Sequence, residues 1–164
     1  MKSIATIILN RNLPEVTDKL YEHLVKYDGA ETDIYVLEAG SDKDKLSKYC
    51  TWHANSDEIV NQGLRYSRGM NYALLQLYNE KKWKHYEGFF LITNDTEFSN
   101  SKTLKPLLEI LHEHQKIGIL SPCSSRWGEK LLLQKEQIKY FWFINNNALL
   151  LRRNFIENIM EKEK

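Results

Sequence analysis

The chain has 164 residues, of which 42% are hydrophobic and 27% are charged, so it is long enough for one well-packed domain and too short for two. Lysines and arginines number 23 against 22 aspartates and glutamates, which gives a formal net charge of +1. This balance argues against a surface built mainly to hold nucleic acid or anionic lipid. We therefore expect a single domain over residues 1–164, in which any site for phosphate is local.

The sequence carries no recognisable targeting or membrane-spanning signal. Its first apolar run meets Asn10 and Arg11 too early for a secretory signal peptide, and no other run approaches the ~18 apolar residues of a membrane span. Cys50 and Cys123 lack the spacing of a metal-binding or redox motif. These features predict a reduced, cytoplasmic protein, either free or peripheral to the inner face of the membrane.

Predicted strands and helices alternate over most of the chain. Apolar runs rich in β-branched residues predict strands at residues 3–9, 33–38, 49–54, 88–92 and 117–120. Apolar residues at helical spacing predict a helix that begins at Pro14 and two others at residues 65–78 and 102–114. This alternation implies a mostly parallel sheet with helices on both faces.

The pattern changes after Pro122. Residues 130–133, 139–144 and 148–151 are predicted strands with no long helix between them, and residues 153–161 are a predicted final helix. Strands spaced this closely predict antiparallel pairing. The predicted fold class is therefore α/β, with a mostly parallel sheet flanked by helices and a short antiparallel C-terminal extension.

Polar residues follow the predicted strands at their carboxyl ends, where α/β sheets bind their ligands. These groups are Asn10-Arg11, Glu38-Ala39-Gly40-Ser41, Thr93-Asn94-Asp95 and Ser121-Pro122. The chain contains no GxGxxG, GxxxxGK(S/T) or GxSxG sequence. Dinucleotide binding, a P-loop and serine hydrolysis are therefore not favoured.

The charged residues of this sheet edge suit a nucleotide diphosphate with a divalent cation. Glu38 ends the second strand and Asp95 ends the fourth, with Arg65 and Arg68 between them in sequence. A carboxylate accepts hydrogen bonds from a base or a ribose, or it binds Mg²⁺ or Mn²⁺ beside phosphate oxygens. Guanidinium groups offer several donors to a base or a diphosphate.

Each of these residues has a simpler interpretation when it is taken alone. Glu38 can be an exposed acid at a strand end, Asp95 a turn residue bonded to its own backbone, and the two arginines a solvated helix face. The Asn-x-Thr sequon at Asn94 requires a secreted protein, which the N-terminus does not support. The ligand-site interpretation is favoured because all of these residues fall on one sheet edge.

Six segments of the chain occur in a characteristic order. They are IATIILNRN, VLEAGSD, RYSRGMNYAL, FFLITNDTEF, IGILSP and NNNALLLRRNFIENI. In this order the chain resembles the family-2 glycosyltransferases of the GT-A fold, including rhamnosyltransferase-like members, over nearly its whole length. The resemblance implies a nucleotide-diphosphate sugar as donor, a saccharide or lipid-linked acceptor in polysaccharide synthesis, and Mg²⁺ or Mn²⁺ as cofactor.

The resemblance also implies roles for individual residues. Those that match the family's nucleotide-sugar site are Asn10, Arg11, Glu38, Gly40, Ser41, Arg65, Thr93, Asn94 and Asp95. Glu38 would contact the base or the ribose, and Arg65 the base or the diphosphate. Asp95 corresponds to the last acid of the DxD motif and would be the metal ligand. Asn71 matches a helix asparagine whose role is structural.

The chain departs from the family pattern in two places. The motif reads Thr-Asn-Asp, so one carboxylate stands where many relatives have two or three, and we expect weaker metal binding that the sugar diphosphate completes. The family segment that supplies the general base would follow Lys164. We therefore expect either a part of a longer protein or a compact variant that uses Glu97 or Glu129. Trp127 either stacks on a sugar or covers the core.

Three functions remain open at this point. The leading hypothesis is an inverting, metal-dependent glycosyltransferase. The second is a catalytically degenerate module of the same fold that binds a nucleotide or a partner. A nucleotidyltransferase is the third, and it is disfavoured because LNRNLPEV, which spans the end of the first strand and the loop after it, contains no glycine.

Overall fold

The computed structural model describes residues 2–123, 138–140, 144 and 146–162. The strands within them are β1 (Ile4–Asn10), β2 (Thr32–Ala39), β3 (Cys50–Ala54), β4 (Gly88–Thr93), β5 (Ile119–Leu120) and β6 (Ala148–Arg152). The helices are α1 (Pro14–Asp28), α2 (Asp57–Gln62), α3 (Tyr66–Asn79), α4 (Leu104–Glu113) and α5 (Arg153–Lys162). None of these described helices has the length and apolar character needed to cross a membrane.

The described strands form one sheet in the order β3-β2-β1-β4-β6-β5. Strands β1 to β4 run parallel, whereas β6 is antiparallel to both β4 and β5. The predicted α/β class, parallel sheet and antiparallel extension are thus confirmed. Because β2 lies on one side of β1 and β4 on the other, the strand order reverses between β1 and β4. Sheets of this kind bind ligands at such a reversal.

Both faces of the sheet are covered, which explains why its central strands are mainly apolar. Successive side chains of a strand point to opposite faces. Ile8 of β1 packs in one cluster with Leu24 of α1 and Leu111 of α4. Ile7 lies in the other cluster with Leu77 of α3. With its faces occupied by helices, the sheet leaves the carboxyl ends of its strands as the open edge.

A buried aspartate joins α1 to α4. The Oδ1 atom of Asp28 accepts hydrogen bonds from the backbone amides of Thr103 and Leu104, both at 2.8 Å. These amides lie at the start of α4, where a helix has no carbonyl partners of its own. The segment that runs from β4 to α4 is therefore fixed at its far end by α1.

Predicted and observed bounds differ by at most two residues where both are known. The fifth strand is shorter than predicted because only Ile119 and Leu120 pair with β6. Helix α2 was not predicted, since six residues are too few to show a helical period. The predicted strand at 130–133 lies outside the described residues, as does half of the one at 139–144, whose described residues are not in a strand.

Candidate functional site

A chain of hydrogen bonds crosses the carboxyl ends of four adjacent strands. The ring Nε2 of His53 on β3 lies 2.9 Å from the carbonyl oxygen of Ser41. Since a carbonyl oxygen can only accept a hydrogen bond, the ring nitrogen is the donor. The Ser41 hydroxyl donates to Glu38 of β2 (2.5 Å). The side chain of Asn10 on β1 donates to Glu38. It also accepts a hydrogen bond of 2.8 Å from the side-chain amide of Asn94, the residue after β4. We call these five residues the strand-end network; their order follows the order of the strands.

Glu38 is the centre of this network. Its side chain is 0% exposed, and its two oxygens accept four hydrogen bonds, two from Asn10 (3.1 and 2.9 Å), one from Ser41 and one from the backbone amide of Ser47 (2.8 Å). Hydrogen bonds to an ionised carboxylate are stronger than those between neutral groups. Glu38 therefore holds the loop after β2, whereas the sequence suggested a group that contacts the base or ribose directly.

The loops after β1 and β2 each contain a residue with positive φ, Asn12 and Gly40. Gly40 has a φ of +87°, and a Cβ there would lie 2.1 Å from the carbonyl oxygen of Ile59, so no larger residue fits. Asn12, with a φ of 57°, donates its backbone amide to the Ser41 hydroxyl and accepts from the amide of Asp42. Asparagine tolerates this left-handed backbone better than most residues. The loops after β1 and β2 are thereby locked together.

An open cleft of about 570 Å³ lies beside this loop, at the end of β3. Its lining residues are Ser41, Asp42, Lys43, His53, Asn55, Asp57, Val60 and Asn61. Nearly all of them carry hydrogen-bonding groups, and Val60 supplies an apolar contact. This mixture suits a ligand that has an apolar ring and several polar edges.

Arg11 supports the wall of the cleft. Its guanidinium donates to the backbone carbonyls of Val60 (3.1 Å), Gln62 (3.3 Å) and Asn61 (3.4 Å) at the C-terminus of α2. A cation is favourable there because the last carbonyls of a helix lack partners and carry partial negative charge. A Cβ on Gly63 would lie 2.4 Å from Nη1 of Arg11. The absence of a side chain at Gly63 thus leaves room for Arg11 to donate its hydrogen bonds to the end of α2.

The turn after β4 presents Asp95. The Asn94 side chain holds one side of the turn, and the amide of Thr96 donates to the carbonyl of Thr93 (3.1 Å). The hydroxyl of Thr96 donates to the carbonyl of Asn147 (2.9 Å). Asp95 is exposed and makes no hydrogen bond or ion pair within the part of the chain that the structure describes. Its carboxylate is therefore available to a ligand.

Asp95 supplies the type of ligand that Mg²⁺ and Mn²⁺ prefer, a carboxylate oxygen. Among the described residues, no group of three histidine, cysteine, aspartate or glutamate side chains is arranged to hold a metal ion. Within the described residues, Asp95 therefore does not belong to a site with three protein ligands. That fits a cation whose remaining ligands come from a diphosphate and from water.

The predicted arginines are not part of the network. Arg65 immediately precedes α3, and both Arg65 and Arg68 are exposed. Neither guanidinium makes a hydrogen bond or an ion pair with another described residue, so both are available to an anion. Of the two acids considered as general base, Glu97 is exposed, whereas Glu129 lies outside the described residues, as do Trp127 and its neighbours 124–128.

The sequence missed several residues of the site. His53 and Asn55 lie at the end of β3, Asp57 begins α2, and Asn12 joins two loops. The run HANSDE, which spans the end of the predicted third strand and the residues after it, was a possible signal, because it is the same kind of polar strand end as the groups that were chosen. The hydrogen bond of Arg11 to a helix 49 residues away had no sequence signal.

The sequence matches no protein-family model and no curated protein. The fold is similar to a mannosyltransferase of Pyrobaculum calidifontis solved with GDP-Man and Mn²⁺, at a TM-score of 0.64 and 10% identity over 95% of this chain and 46% of that one. It is also similar to the galactosyltransferase LgtC, solved with donor and acceptor sugar analogs, at a TM-score of 0.52 and 12% identity over 94% of this chain and 59% of that one. The chain thus spans about half the length of these structures. At such identities the likeness concerns the fold alone, and the fold of this chain is of the GT-A glycosyltransferase type.

Proposed function

We propose that this chain is the donor-binding domain of a glycosyltransferase that uses a nucleotide-diphosphate sugar. The observation that carries the proposal is the strand-end network. It joins a polar cleft at one end to the turn of Asp95 at the other, along the sheet edge where α/β folds bind ligands. Two glycosyltransferases of similar fold support it, one with GDP-Man and Mn²⁺ and one with donor and acceptor sugar analogs.

In this proposal the nucleoside occupies the cleft. Ser41, Asp42, His53, Asn55 and Asp57 offer the hydrogen bonds that a base edge and ribose hydroxyls need. Glu38 and Asn10 do not touch the ligand in this assignment, because they are buried and bonded to the protein. They set the position of the groups that do.

The diphosphate would lie between the cleft and the turn of Asp95. Asp95 would hold Mg²⁺ or Mn²⁺, and when bound, the cation neutralises the charge that builds up on the departing diphosphate. Arg65 is an exposed cation without a described partner, so it can bind the base or the diphosphate at little cost in broken contacts. A bidentate guanidinium contact would add to the affinity for phosphate.

We propose an inverting single displacement as the chemical step. The oxygen of an acceptor hydroxyl bonds to C1 of the sugar while the bond from C1 to the diphosphate breaks. A base takes the hydroxyl proton at the same time. Glu97 and Glu129 are the two carboxylates that we consider for this base, and membership of family 2 is part of the proposal.

A second function has an observation in its favour. Among the described residues, Asp95 does not belong to a group of three side chains that could hold a metal ion, which is what a catalytically degenerate module would show. Such a module would bind the nucleotide through the cleft and transfer no sugar. It differs from the enzyme in turnover, not in fold.

The first experiment is a thermal-shift titration with UDP, GDP and dTDP, each with and without Mn²⁺. At a concentration of one hundred times Kd, a nucleotide that binds the folded state raises Tm by about 5 to 10 °C for a chain of this size. Mn²⁺ alone and inorganic phosphate serve as controls. If no nucleotide raises Tm, both the transferase and the nucleotide-binding module are wrong.

Product analysis then separates the enzyme from the module. The protein is incubated with the sugar form of the nucleotide that binds, with Mn²⁺, and release of the nucleoside diphosphate is followed. Hydrolysis or transfer that is lost in Glu97→Gln or in Glu129→Gln supports the enzyme and identifies its base. Tight binding without release of product supports the degenerate module.

A further inference from the structure

Asn10 joins the two halves of the strand-end network. Its Nδ2 donates to both oxygens of Glu38, and its Oδ1 accepts from the Asn94 side chain (2.8 Å) and from the backbone amide of Leu13 (3.3 Å). The side chain is 1% exposed, so water does not compete for these bonds. A primary amide has both donors and an acceptor, whereas a carboxylate or an alkyl group of the same size lacks one or both.

The two ends that Asn10 joins are held in different ways. On the cleft side, Glu38 fixes the loop through Ser41 and the backbone of Ser47. On the other side, Asp95 is the exposed residue of a turn held by backbone and side-chain hydrogen bonds, among them the one from Asn94 to Asn10. When the loop after β2 becomes more rigid, the effect therefore reaches the turn of Asp95 through the side chains of Asn10 and Asn94.

We propose that Asn10 is a positioning residue that couples the nucleotide cleft to Asp95, so that the nucleoside diphosphate and the divalent cation bind cooperatively. The inference rests on the proposed function. A nucleotide in the cleft restrains the loop of Ser41, which restrains Glu38, Asn10 and the Asn94 side chain in turn. The turn of Asp95 is then already ordered when the cation binds, so binding costs less conformational entropy. By linkage, the cation must raise the affinity for the nucleotide by the same factor.

The chain allows an exchange of donor and acceptor between two positions. Asn10→Asp removes the donor and sets a second carboxylate against Glu38. The double variant Asn10→Asp with Glu38→Gln again has one carboxylate and one amide at this pair of positions, as the wild type does. The amide that Glu38→Gln introduces can donate to the new carboxylate, which can still accept from Asn94 and Leu13. Asn71→Asp on α3 is the matched control, because Asn71 is exposed and undergoes the same chemical change.

The readout is the affinity for the preferred nucleoside diphosphate, measured by calorimetry with and without Mn²⁺. We expect Mn²⁺ to raise the affinity of the wild type and of Asn71→Asp by about fivefold or more. Asn10→Asp should reduce this increase by a larger factor than it reduces the affinity for the nucleotide alone, and the double variant should recover the increase. A merely structural role would weaken both measurements together.

A second measurement needs no variant, in case Asn10→Asp does not fold. Hydrogen exchange of the wild type is followed with and without the nucleoside diphosphate, in the absence of metal. The amides of Ser47 and Thr96 report on the two ends, since both are hydrogen-bonded. We expect the nucleotide to slow exchange at both. Protection at Ser47 without protection at Thr96 would overturn the coupling.

The outcomes separate this inference from the proposed function. If the wild type binds no nucleoside diphosphate, the proposed function is wrong and the coupling falls with it. If Asn10→Asp retains the full increase in affinity with Mn²⁺, the role of Asn10 is wrong and the proposed function stands. If the double variant does not recover what Asn10→Asp loses, the hydrogen-bond account of the coupling is overturned.

Discussion

The amide of Asn10 donates to both carboxylate oxygens of Glu38, at 3.1 and 2.9 Å. The two residues are direct partners in the parallel register of β1 and β2, so the bond is a consequence of how the sheet pairs. It places a buried carboxylate, which accepts four hydrogen bonds, between the cleft and the turn of Asp95. The predictions below test this arrangement and the contacts that support it.

Glu38→Ala should strongly destabilise the protein. The change leaves donors of Asn10, Ser41 and Ser47 buried without an acceptor, and we expect the free energy of unfolding to fall by about 2 to 4 kcal/mol. Glu38→Gln keeps the shape and one acceptor oxygen, so its loss should be smaller. Urea denaturation at pH 7 measures both, with the exposed Glu109→Ala on α4 as a control expected within about 0.5 kcal/mol of wild type. Similar free energies of unfolding for Glu38→Ala and Glu109→Ala would show that the carboxylate of Glu38 does not stabilise the fold.

Gly63→Ala should destabilise the end of α2 in two ways. Gly63 has φ 72° and ψ 157°, a backbone region almost confined to glycine, and strain there is worth about 1 to 3 kcal/mol. The new Cβ also meets the guanidinium of Arg11. In an Arg11→Ala background only the strain remains, so the cost of Gly63→Ala should be lower than in the wild type. An equal cost in both backgrounds would refute the contact.

Asp28→Ala should loosen the start of α4. The amides of Thr103 and Leu104 lose a buried acceptor, and loss of such a cap costs about 1 to 2 kcal/mol. Asp28→Asn retains an oxygen that can accept both bonds, so we expect a clearly smaller loss. Thermal unfolding followed by circular dichroism compares the two variants. Equal losses would mean that the charge of Asp28, not its acceptor oxygen, is what stabilises α4.

Tyr66→Phe should change the response to alkaline pH. The Tyr66 hydroxyl is buried without a hydrogen-bond partner among the described residues, and burial raises its pKa from 10.0 to about 12. The folded state therefore keeps the Tyr66 proton to a higher pH than the unfolded state does. The contribution of this difference to the free energy of unfolding is complete below pH 10 and is lost as the pH rises to about 12.

Unfolding measured between about pH 9 and pH 11.5 tests this expectation. The free energy of unfolding should fall less steeply with pH in Tyr66→Phe than in the wild type. Tyr78→Phe is the control, because Tyr78 is exposed and undergoes the same chemical change. If Tyr66→Phe follows the wild-type curve, the hydroxyl is not protected from solvent.

The fold could be predicted because its signals are local. Apolar runs and helical spacing located the elements, and the rule for parallel sheets then put Asn10, Glu38 and Asn94 on one edge, where the structure brings them into contact. The direction in which Glu38 points could not be predicted. It depends on the register of β1 with β2 and on the amide of Ser47, nine residues along the chain.

The cleft was harder to predict than the turn of Asp95. Its wall is α2, whose six residues carry no periodic signal, and whose position depends on Arg11 and on the backbone of Gly40. The contacts of Arg11 join segments about fifty residues apart, and nothing in the local sequence of either segment indicates the other. The link from Asp28 to α4 was missed for the same reason.

The proposed function requires that a nucleoside diphosphate bind together with a divalent cation at Asp95. Calorimetric titration of the preferred nucleoside diphosphate, with and without Mn²⁺, tests it in the wild type, in Asp95→Asn and in the control Glu109→Gln, which removes one exposed charge on α4. We predict that Mn²⁺ raises the affinity by about fivefold or more in the wild type and in Glu109→Gln, and that Asp95→Asn loses this increase. An increase that persists in Asp95→Asn would contradict the account.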